Sequence, residues 1–597
     1  MRAHIDFPLC EEASGRWRAS FDAPVAVLDA WHPGEVRAVL AQVEAHAGAG
    51  RWCLGGLAYE AAAAFDPALC THASAPLWPL ARFAVYEQCQ PWPQAGDAAT
   101  PASDSPWLFS MTQGDYLARC QQARQAMAAG ECYQINLTGA LQSTLAGDPH
   151  AWMEALRRAQ PDAYLLWLDW GGLQVLSASP ELFFDWQPEA AGGRVMCRPM
   201  KGTAPRHADA VRDADARAQL LASPKERAEN VMIVDLLRND LGRLARPGTV
   251  RVPRLFEAQA LSTVWQMTST VTARTTPGVG LAELFGALFP CGSVTGAPKA
   301  RAMHWIRALE DGPRGFYCGA LGVVRPGGAA TFNVPIRTLS LQRNPASPGG
   351  AWSARYGVGS GVTVYAEPQA EWRELAAKAR LLERVSRPFD LLETLRLEDG
   401  RYWLLERHLE RMASSARYFG FAWDADREAA VRAQLDAVAR EHAQGLWRLR
   451  LLLAARGQAS VQAFALAATP EPVRVALAVR PLDTQGGQHE FVLHKTTRRA
   501  HYDAFAPAQA EVFDTLLVNE RGELTEFTRG NAALRIEGQW RTPPLQCGLL
   551  PGTYRAELLA QGRLVEAVLT PADLQRAGQI AFFNGLRGWL RAQWVGA

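Results

Sequence analysis

Apolar and polar positions along the chain follow two periods, and they change repeatedly from one to the other. Leu173-Gln-Val-Leu-Ser177 and Leu321-Gly-Val-Val324 read as strands, while residues 115–129, 224–242 and 298–310 carry helical patterning. In the second of these helices Val231, Ile233, Val234 and Leu237 mark the apolar face. The mixture predicts an α+β arrangement. Residues Trp372–Val385, rich in Ala, Leu, Glu, Lys and Arg, predict a further helix that Ser386-Arg-Pro388 stops. A strand-like run, Phe389–Arg396, follows, and then a turn at Glu398-Asp-Gly400. The domain boundary is therefore expected near 387, giving domains 1–387 and 388–597. The second domain is also mixed, with strands expected near 447–454 and 460–466. Residues 91–107 and 344–350 read as surface insertions, and Ala190-Ala-Gly-Gly193 as a turn between two strands. No internal repeat is seen.

Charge and cysteine content narrow the function classes. The 597 residues carry 62 basic and 60 acidic side chains, net +2, which argues against general affinity for nucleic acid or an anionic membrane. The ten cysteines form no C-x-x-C pair, so buried free thiols are expected rather than disulfides or a zinc site. No leader and no apolar run of about 18 residues is seen, so a soluble cytoplasmic protein is expected.

Two acidic pairs stand out. Glu226 and Glu229 share one helix face at i, i+3, and Glu371 and Glu374 repeat that spacing. An isolated pair of this kind is usually a solvated face. Two pairs converging on one site could hold Mg2+, which favours carboxylates plus retained waters.

The surrounding blocks make the pairs more specific. They are Gly130–Thr138, Ser177–Phe183, Arg198–Arg206, Glu226–Arg243, Cys291-Gly-Ser-Val-Thr-Gly-Ala-Pro-Lys299, Pro335–Thr338 and Gly357–Gly361. In that order they resemble the chorismate-utilising enzymes, over the first ~385 residues. The resemblance implies a two-sheet α/β sandwich and a set of roles. Glu229 and Glu374 would contact Mg2+, with Glu226 and Glu371 reaching it through water. Arg337 would take the carboxylate of chorismate's enolpyruvyl arm, which Tyr317 and Ser293 would line. Gly202 and Thr203, with Gly359 and Gly361, would lie beside the ligand, the glycines letting backbone approach it. Lys201, in Met-Lys-Gly-Thr, resembles the aminodeoxychorismate synthases; anthranilate synthases place alanine there. Its amine would add at C2 and expel the 4-hydroxyl, and ammonia would then add at C4 and expel the lysine. To attack, Lys201 must be neutral, which burial or nearby cations would favour. Glu181 would be the general acid, protonated through desolvation. Gln266 stands where the family usually has a histidine tied to pyruvate loss, a second argument against anthranilate synthesis. Cys53 precedes Leu-Gly-Gly in a superficially nucleophile-like context, but its surroundings match the chorismate enzymes. No glutaminase is visible, so ammonia is expected from solution or from a separate glutamine amidotransferase subunit.

Residues ~388–597 resemble fold-type IV pyridoxal phosphate enzymes, an α/β fold, through Phe389–Arg396, His408–Met412, His494–Thr497, Glu523–Asn531 and Thr542–Arg555. The resemblance implies that Lys495 carries the cofactor and that Glu526 partners its ring nitrogen. Arg411 and the Gly552-Thr553 turn would bind its phosphate. The family often has Gly-x-Thr-Arg where this chain has Gly552-Thr-Tyr-Arg555, so Tyr554 departs from the pattern. Asn531 and Thr394 are further candidates for substrate contact. A dimer through this domain is a hypothesis from the same resemblance.

Together the two resemblances imply synthesis of 4-aminobenzoate from chorismate and ammonia with Mg2+ and pyridoxal phosphate. The alternatives are an anthranilate-type synthase joined to an aminotransferase, and a chain with one catalytically degenerate domain.

Overall fold

The computed structural model describes residues 1–597 apart from 10–14, 75–77, 93–101, 104, 161, 207–209, 262–263, 344–349, 387, 485–488, 508 and 596–597. The surface insertions expected at 91–107 and 344–350 fall largely outside the described residues. The chain divides into two compact units, Met1–Arg387 and Pro388–Ala597.

Two ten-stranded sheets form the first unit. In one, the long strands Gln134–Ala146 and Trp352–Thr363 pair antiparallel, with Gly359 opposite Thr138 and Gly361 opposite Asn136. The other contains Trp52–Leu57, Ala320–Val324, Leu182–Glu189, Val264–Arg274 and Met200–Pro205. Ile5, Phe21, Leu166 and Val175 of the first sheet share one apolar cluster with Leu54, Tyr86 and Val323 of the second. The sheets therefore pack face to face. Helices cover the outer faces. Pro33–Gly48, Pro224–Gly242 and Leu281–Leu288 pack on the second sheet; Gln113–Ala128, Pro149–Ala159, Lys299–Leu309 and Pro368–Ser386 pack on the first.

Burial follows the periods that predict these elements. In Lys299–Leu309 the buried residues are Ala302, Met303, Ile306 and Leu309, a single stripe. Each large apolar side chain buried this way contributes about 1.5–3 kcal/mol. Ala320–Val324 is buried throughout, as a strand covered on both faces must be.

The second unit has a four-stranded antiparallel sheet and an eight-stranded mixed one. In the small sheet's strand Leu446–Leu453, Leu449, Leu451 and Leu453 are buried while Arg448 and Arg450 are exposed. That period-two alternation gives one apolar face, on which helices Leu405–Phe419 and Ala425–Glu441 pack. The strand expected from Phe389 begins at Leu391 instead. Phe389 is drawn into an aromatic cluster with Phe419, Phe421 and Phe491, and Asp390 exchanges hydrogen bonds with Thr497. No helix among the described residues is long and apolar enough to cross a membrane.

Candidate active sites

In the first unit Lys201, Glu181 and all four glutamates of the two pairs line one cavity of about 200 Å3. Ser293, Tyr317, Arg337, Gly202, Thr203, Gly359 and Gly361 line it too. Lys201 reaches the cavity through a break in strand register. Met200 faces Thr268 and Thr203 faces Gln266, so Lys201 and Gly202 together oppose one residue. Such a bulge re-aims a side chain, and Gly202 takes φ +100° to make it. Gln266 fastens the bulge: its Nε2 donates to the Gly202 carbonyl at 2.8 Å and its Oε1 accepts from Thr203 Oγ1 at 3.2 Å. Asn230 Nδ2 donates to the Lys201 carbonyl at 3.0 Å, and Asn230 Oδ1 accepts from Ser269 at 2.6 Å. A side chain at Gly361 would collide with Lys201 Nζ, so this glycine makes room for the lysine. At Gly359 the corresponding space is filled by Thr138, and at Gly202 by Glu226 and Met267.

Glu181 is buried, and Ser293 Oγ donates to its Oε1 at 2.7 Å. Ser293, expected beside the enolpyruvyl arm, lines the cavity and is also a partner of Glu181. Burial pushes the Glu181 carboxyl up to about 7, against the opposing pull of Ser293, the Met200 amide and Lys201. Arg337 takes a positive φ of 51° and donates to Gln160 Oε1. Tyr317 is buried with its ring against Gly357.

Ser223 caps the helix Pro224–Gly242, accepting from the Glu226 amide at 3.3 Å. Glu229 Oε2 lies 3.4 Å from Lys201 Nζ and its Oε1 3.9 Å from Lys225 Nζ. Lys201 is largely buried, as expected, and the charge paired with it is a carboxylate. Glu374 Oε1 accepts from Lys378 Nζ at 2.7 Å, and the same ammonium donates to the Gly359 carbonyl at 2.7 Å. Burial first, then Glu229, pushes Glu226 up; burial, with Glu374 adding, does the same to Glu371. Among the described residues no three acidic, histidine or cysteine side chains are already gathered around a metal position. The all-oxygen donor set and the mutual repulsion within each pair nevertheless fit a hard divalent cation. Cys53 lies in a buried strand, and burial pushes its thiol up to about 12, which leaves it inert.

The second unit holds a cavity of about 300 Å3, lined by Lys495, Glu526, Arg411, Gly552, Thr553, Thr394 and Asn531. Lys495 is fixed where the Leu392 amide donates to its carbonyl at 3.0 Å. Burial, then Arg499 and Arg411, pull its amine down to about 7. Glu526 Oε1 accepts from Tyr502 Oη at 2.6 Å and from the Leu550 amide at 3.0 Å. Burial pushes this carboxyl up to about 7, and a cationic ring nitrogen beside it would favour the ionised form. Arg411 donates to both oxygens of Glu393, at 2.8 and 2.6 Å, and to the Pro551 carbonyl at 3.0 Å. Glu393 also bonds His408 Nδ1 at 2.6 Å, and His408 Nε2 lies 3.3 Å from Thr553 Oγ1. Gly552 caps the helix Thr553–Ala560, whose first amides lack intrahelical acceptors. The Tyr554 ring packs on Trp403 at 4.6 Å and on Phe583 at 6.2 Å. A buried amine of lowered basicity, a buried carboxylate and a helix N-terminus beside an arginine suit pyridoxal phosphate. The sequence reading gave no positioning role to Asn230, Gln266, Lys378, Glu393, His408, Tyr502 or Arg499. Apart from Glu374, which lies one helical turn from Lys378, their partners lie on other elements, and only Glu393 and His408 fall in matching blocks of the second domain.

Residues 9–384 match the chorismate binding enzyme family, and residues 390–594 match the class IV amino-transferases. The chain belongs to the chorismate binding enzymes and carries a class IV amino-transferase domain after that region. Aminodeoxychorismate synthase component 1 of Klebsiella aerogenes is 39% identical over 293 residues, 48% of this chain and 61% of that protein. Anthranilate synthase component 1 of Streptomyces coelicolor is 38% identical over 288 residues, 48% of this chain and 54% of that protein. This chain therefore spans less than two thirds of either relative. The crystal structure of anthranilate synthase component I from Streptococcus pneumoniae shares the fold, with a TM-score of 0.52 at 23% identity over 62% of this chain and 93% of that one.

Proposed function

We propose that the chain makes 4-aminobenzoate from chorismate in two stages, one in each unit. The observation that carries the reading is Lys201, aimed by a strand bulge into the cavity that Glu181 and the four glutamates line. In the first stage the Lys201 amine adds at C2 of chorismate, and the 4-hydroxyl leaves by allylic shift with a proton from Glu181. Ammonia then adds at C4 and the lysine departs, so the net change is replacement of hydroxyl by amine with loss of water. Glu181 keeps its proton up to about pH 7, which suits a general acid. Glu226, Glu229, Glu371 and Glu374 would hold Mg2+, which would supply positive charge for a substrate carboxylate. The ammonia would come from solution or from a separate glutamine amidotransferase; the "component 1" of the relative's name supports a separate component.

In the second stage Lys495, Glu526, Arg411, Gly552 and Thr553 hold pyridoxal phosphate, which when bound supplies an electron sink. Lys495 takes the C4 proton of 4-amino-4-deoxychorismate and returns a proton to the departing enolpyruvyl group, which leaves as pyruvate. Tyr502 and the Leu550 amide hold Glu526 in place for the ring nitrogen. Similarity to an anthranilate synthase component keeps a second product in view; Lys201 and Gln266 favour amination at C4. The test is one assay of the full chain with chorismate, Mg2+, ammonium and pyridoxal phosphate, the product identified by chromatography. Wild type should give 4-aminobenzoate, Lys201→Ala none, and Lys495→Ala should stop at 4-amino-4-deoxychorismate. Anthranilate from wild type would overturn the reading.

A further inference from the structure

The cavity of the second unit has charge that this chemistry leaves unused. We propose that Arg448, Arg529 and Arg587 form a second anion site there, taking the carboxylate that a cyclic amine substrate carries remote from its amino group. The identity of that substrate rests on the function proposed above; the anion site itself does not.

All three arginines line the same cavity as Lys495 and Glu526. They come from separate elements: Arg448 from the strand Leu446–Leu453, Arg529 from the turn before the strand Gly530–Ile536, and Arg587 from the turn before the strand Gly588–Trp594. The guanidinium carbons of Arg529 and Arg587 lie 4.9 and 5.7 Å from the ring centroid of Phe513, which lines the cavity as well. Their negative compensation is incomplete. Arg529 pairs with the buried Asp514 at 3.2 Å, but that carboxylate also accepts from Thr528 Oγ1 and the Thr528 amide. Arg587 donates to the Thr469 hydroxyl, and Arg448 lies over Phe464 at 4.7 Å. Neither has a carboxylate within ion-pair reach among the described residues. Burial and the two neighbouring guanidiniums push Arg587 down, the direction expected where like charges converge without an anion. Arg411, by contrast, is already matched by Glu393.

Guanidinium forks bind carboxylates in two-point fashion, and Phe513 holds two of the three guanidiniums over its ring. With the amine of 4-amino-4-deoxychorismate directed at Lys495, its ring carboxylate lies across the ring from the reacting carbon. That carboxylate is the group the arginines would take.

The test compares two ligands of one shape, 4-aminobenzoate and the uncharged 4-aminobenzamide. Each is titrated into the full chain loaded with pyridoxal phosphate, without Mg2+, and followed by the absorbance of the bound cofactor, which reports on this cavity. Wild type should bind the carboxylate about 10- to 100-fold more tightly, the worth of a charged hydrogen bond. Arg448→Gln and Arg587→Gln should each shrink that preference to about 3-fold or less, with Arg448→Lys intermediate. Arg448 is exposed and its side chain donates no hydrogen bond among the described residues, so its variant tests the site with little risk to folding. Equal binding of both ligands by wild type overturns the site, as does a preference unchanged in both glutamine variants. Carboxylate preference without turnover of 4-amino-4-deoxychorismate keeps the anion site and removes the proposed reaction; turnover without the preference does the reverse.

Discussion

Lys201 Nζ lies 3.4 Å from Glu229 Oε2, so the proposed nucleophile and a proposed Mg2+ ligand are ion-paired with each other. Both side chains are largely buried, and one carboxylate oxygen cannot serve an ammonium and a divalent cation equally. Mg2+ and the Lys201 ammonium should therefore compete. Lys201→Ala should bind Mg2+ about 2- to 5-fold more tightly, the worth of a partly screened ion pair. Glu229→Gln should bind it at least ~10-fold more weakly, because a charged ligand is lost. Calorimetric titration of Mg2+ without chorismate decides this; unchanged affinity in Lys201→Ala would remove the competition.

Burial raises Glu181 to about 7, which sets both an activity limb and a stability slope. As a general acid it acts when protonated, so amination at fixed free ammonia should fall as pH rises through about 7. For stability, the folded value lies above the unfolded one. The advantage of the protonated side chain is therefore complete below the ordinary carboxylate range and is lost as pH rises through about 7. The loss amounts to at most about 3 kcal/mol. Glu181→Gln should lose the activity limb and should gain in Tm relative to wild type on going from about pH 5 to about pH 8. A Tm difference that does not change with pH would show that Glu181 titrates normally.

The parts of each site that lie in one stretch of chain were legible from sequence; the parts that join distant stretches were not. Lys201, Glu229 and Lys495 stand in recognisable blocks, and helical spacing alone puts Glu226 and Glu229 on one face. The bulge that aims Lys201 depends on register with a strand more than 60 residues away, which no local pattern encodes. Gln266 was visible as a departure from the family pattern, but its role as a clamp on the Gly202 carbonyl required the fold. Ser293 and Glu181 are 112 residues apart and hydrogen-bonded, a pairing that strand alternation cannot reveal. The mixed α+β character came through because buried strands and amphipathic helices each print their period on the sequence, whereas the two-sheet architecture was legible only through the family resemblance.

Glu393 ties Arg411 and His408 together at the edge of the second cavity. Burial alone would raise its carboxyl, but Arg411 and His408 outweigh that and pull it down to about 2. Its contribution is present above the ordinary carboxylate range and lost as pH falls through about 2. Glu393→Gln removes the charge from a buried pair and leaves Arg411 without its counterion, a change that typically costs about 3–5 kcal/mol. Denaturant melts of the variant should show that loss in the second unit's transition, and its affinity for pyridoxal phosphate should fall as Arg411 loses its anchor. A variant as stable as wild type would mean that Arg411 is held by the Pro551 carbonyl alone.

Lys495 is the residue for which burial and neighbouring charge make the most direct prediction. Burial, Arg499 and Arg411 together pull its amine from the ordinary lysine value to about 7. In the fold this depression is a stability contribution present above the unfolded value and lost as pH falls through about 7. In chemistry it means that the neutral amine is abundant at neutral pH. The rate at which pyridoxal phosphate attaches to the cofactor-free chain should rise with pH up to about 7 and then level off. Borohydride reduction followed by peptide mass spectrometry should find the cofactor on the peptide containing Lys495, and nowhere in Lys495→Ala. Arg499→Gln removes one of the two cations that act on the amine, so its profile should move to higher pH, while Arg450→Gln, outside the cavity lining, should leave it unchanged. An inflection near the ordinary lysine value in wild type would show that the amine is solvated, and the cavity could not then hold the cofactor as argued.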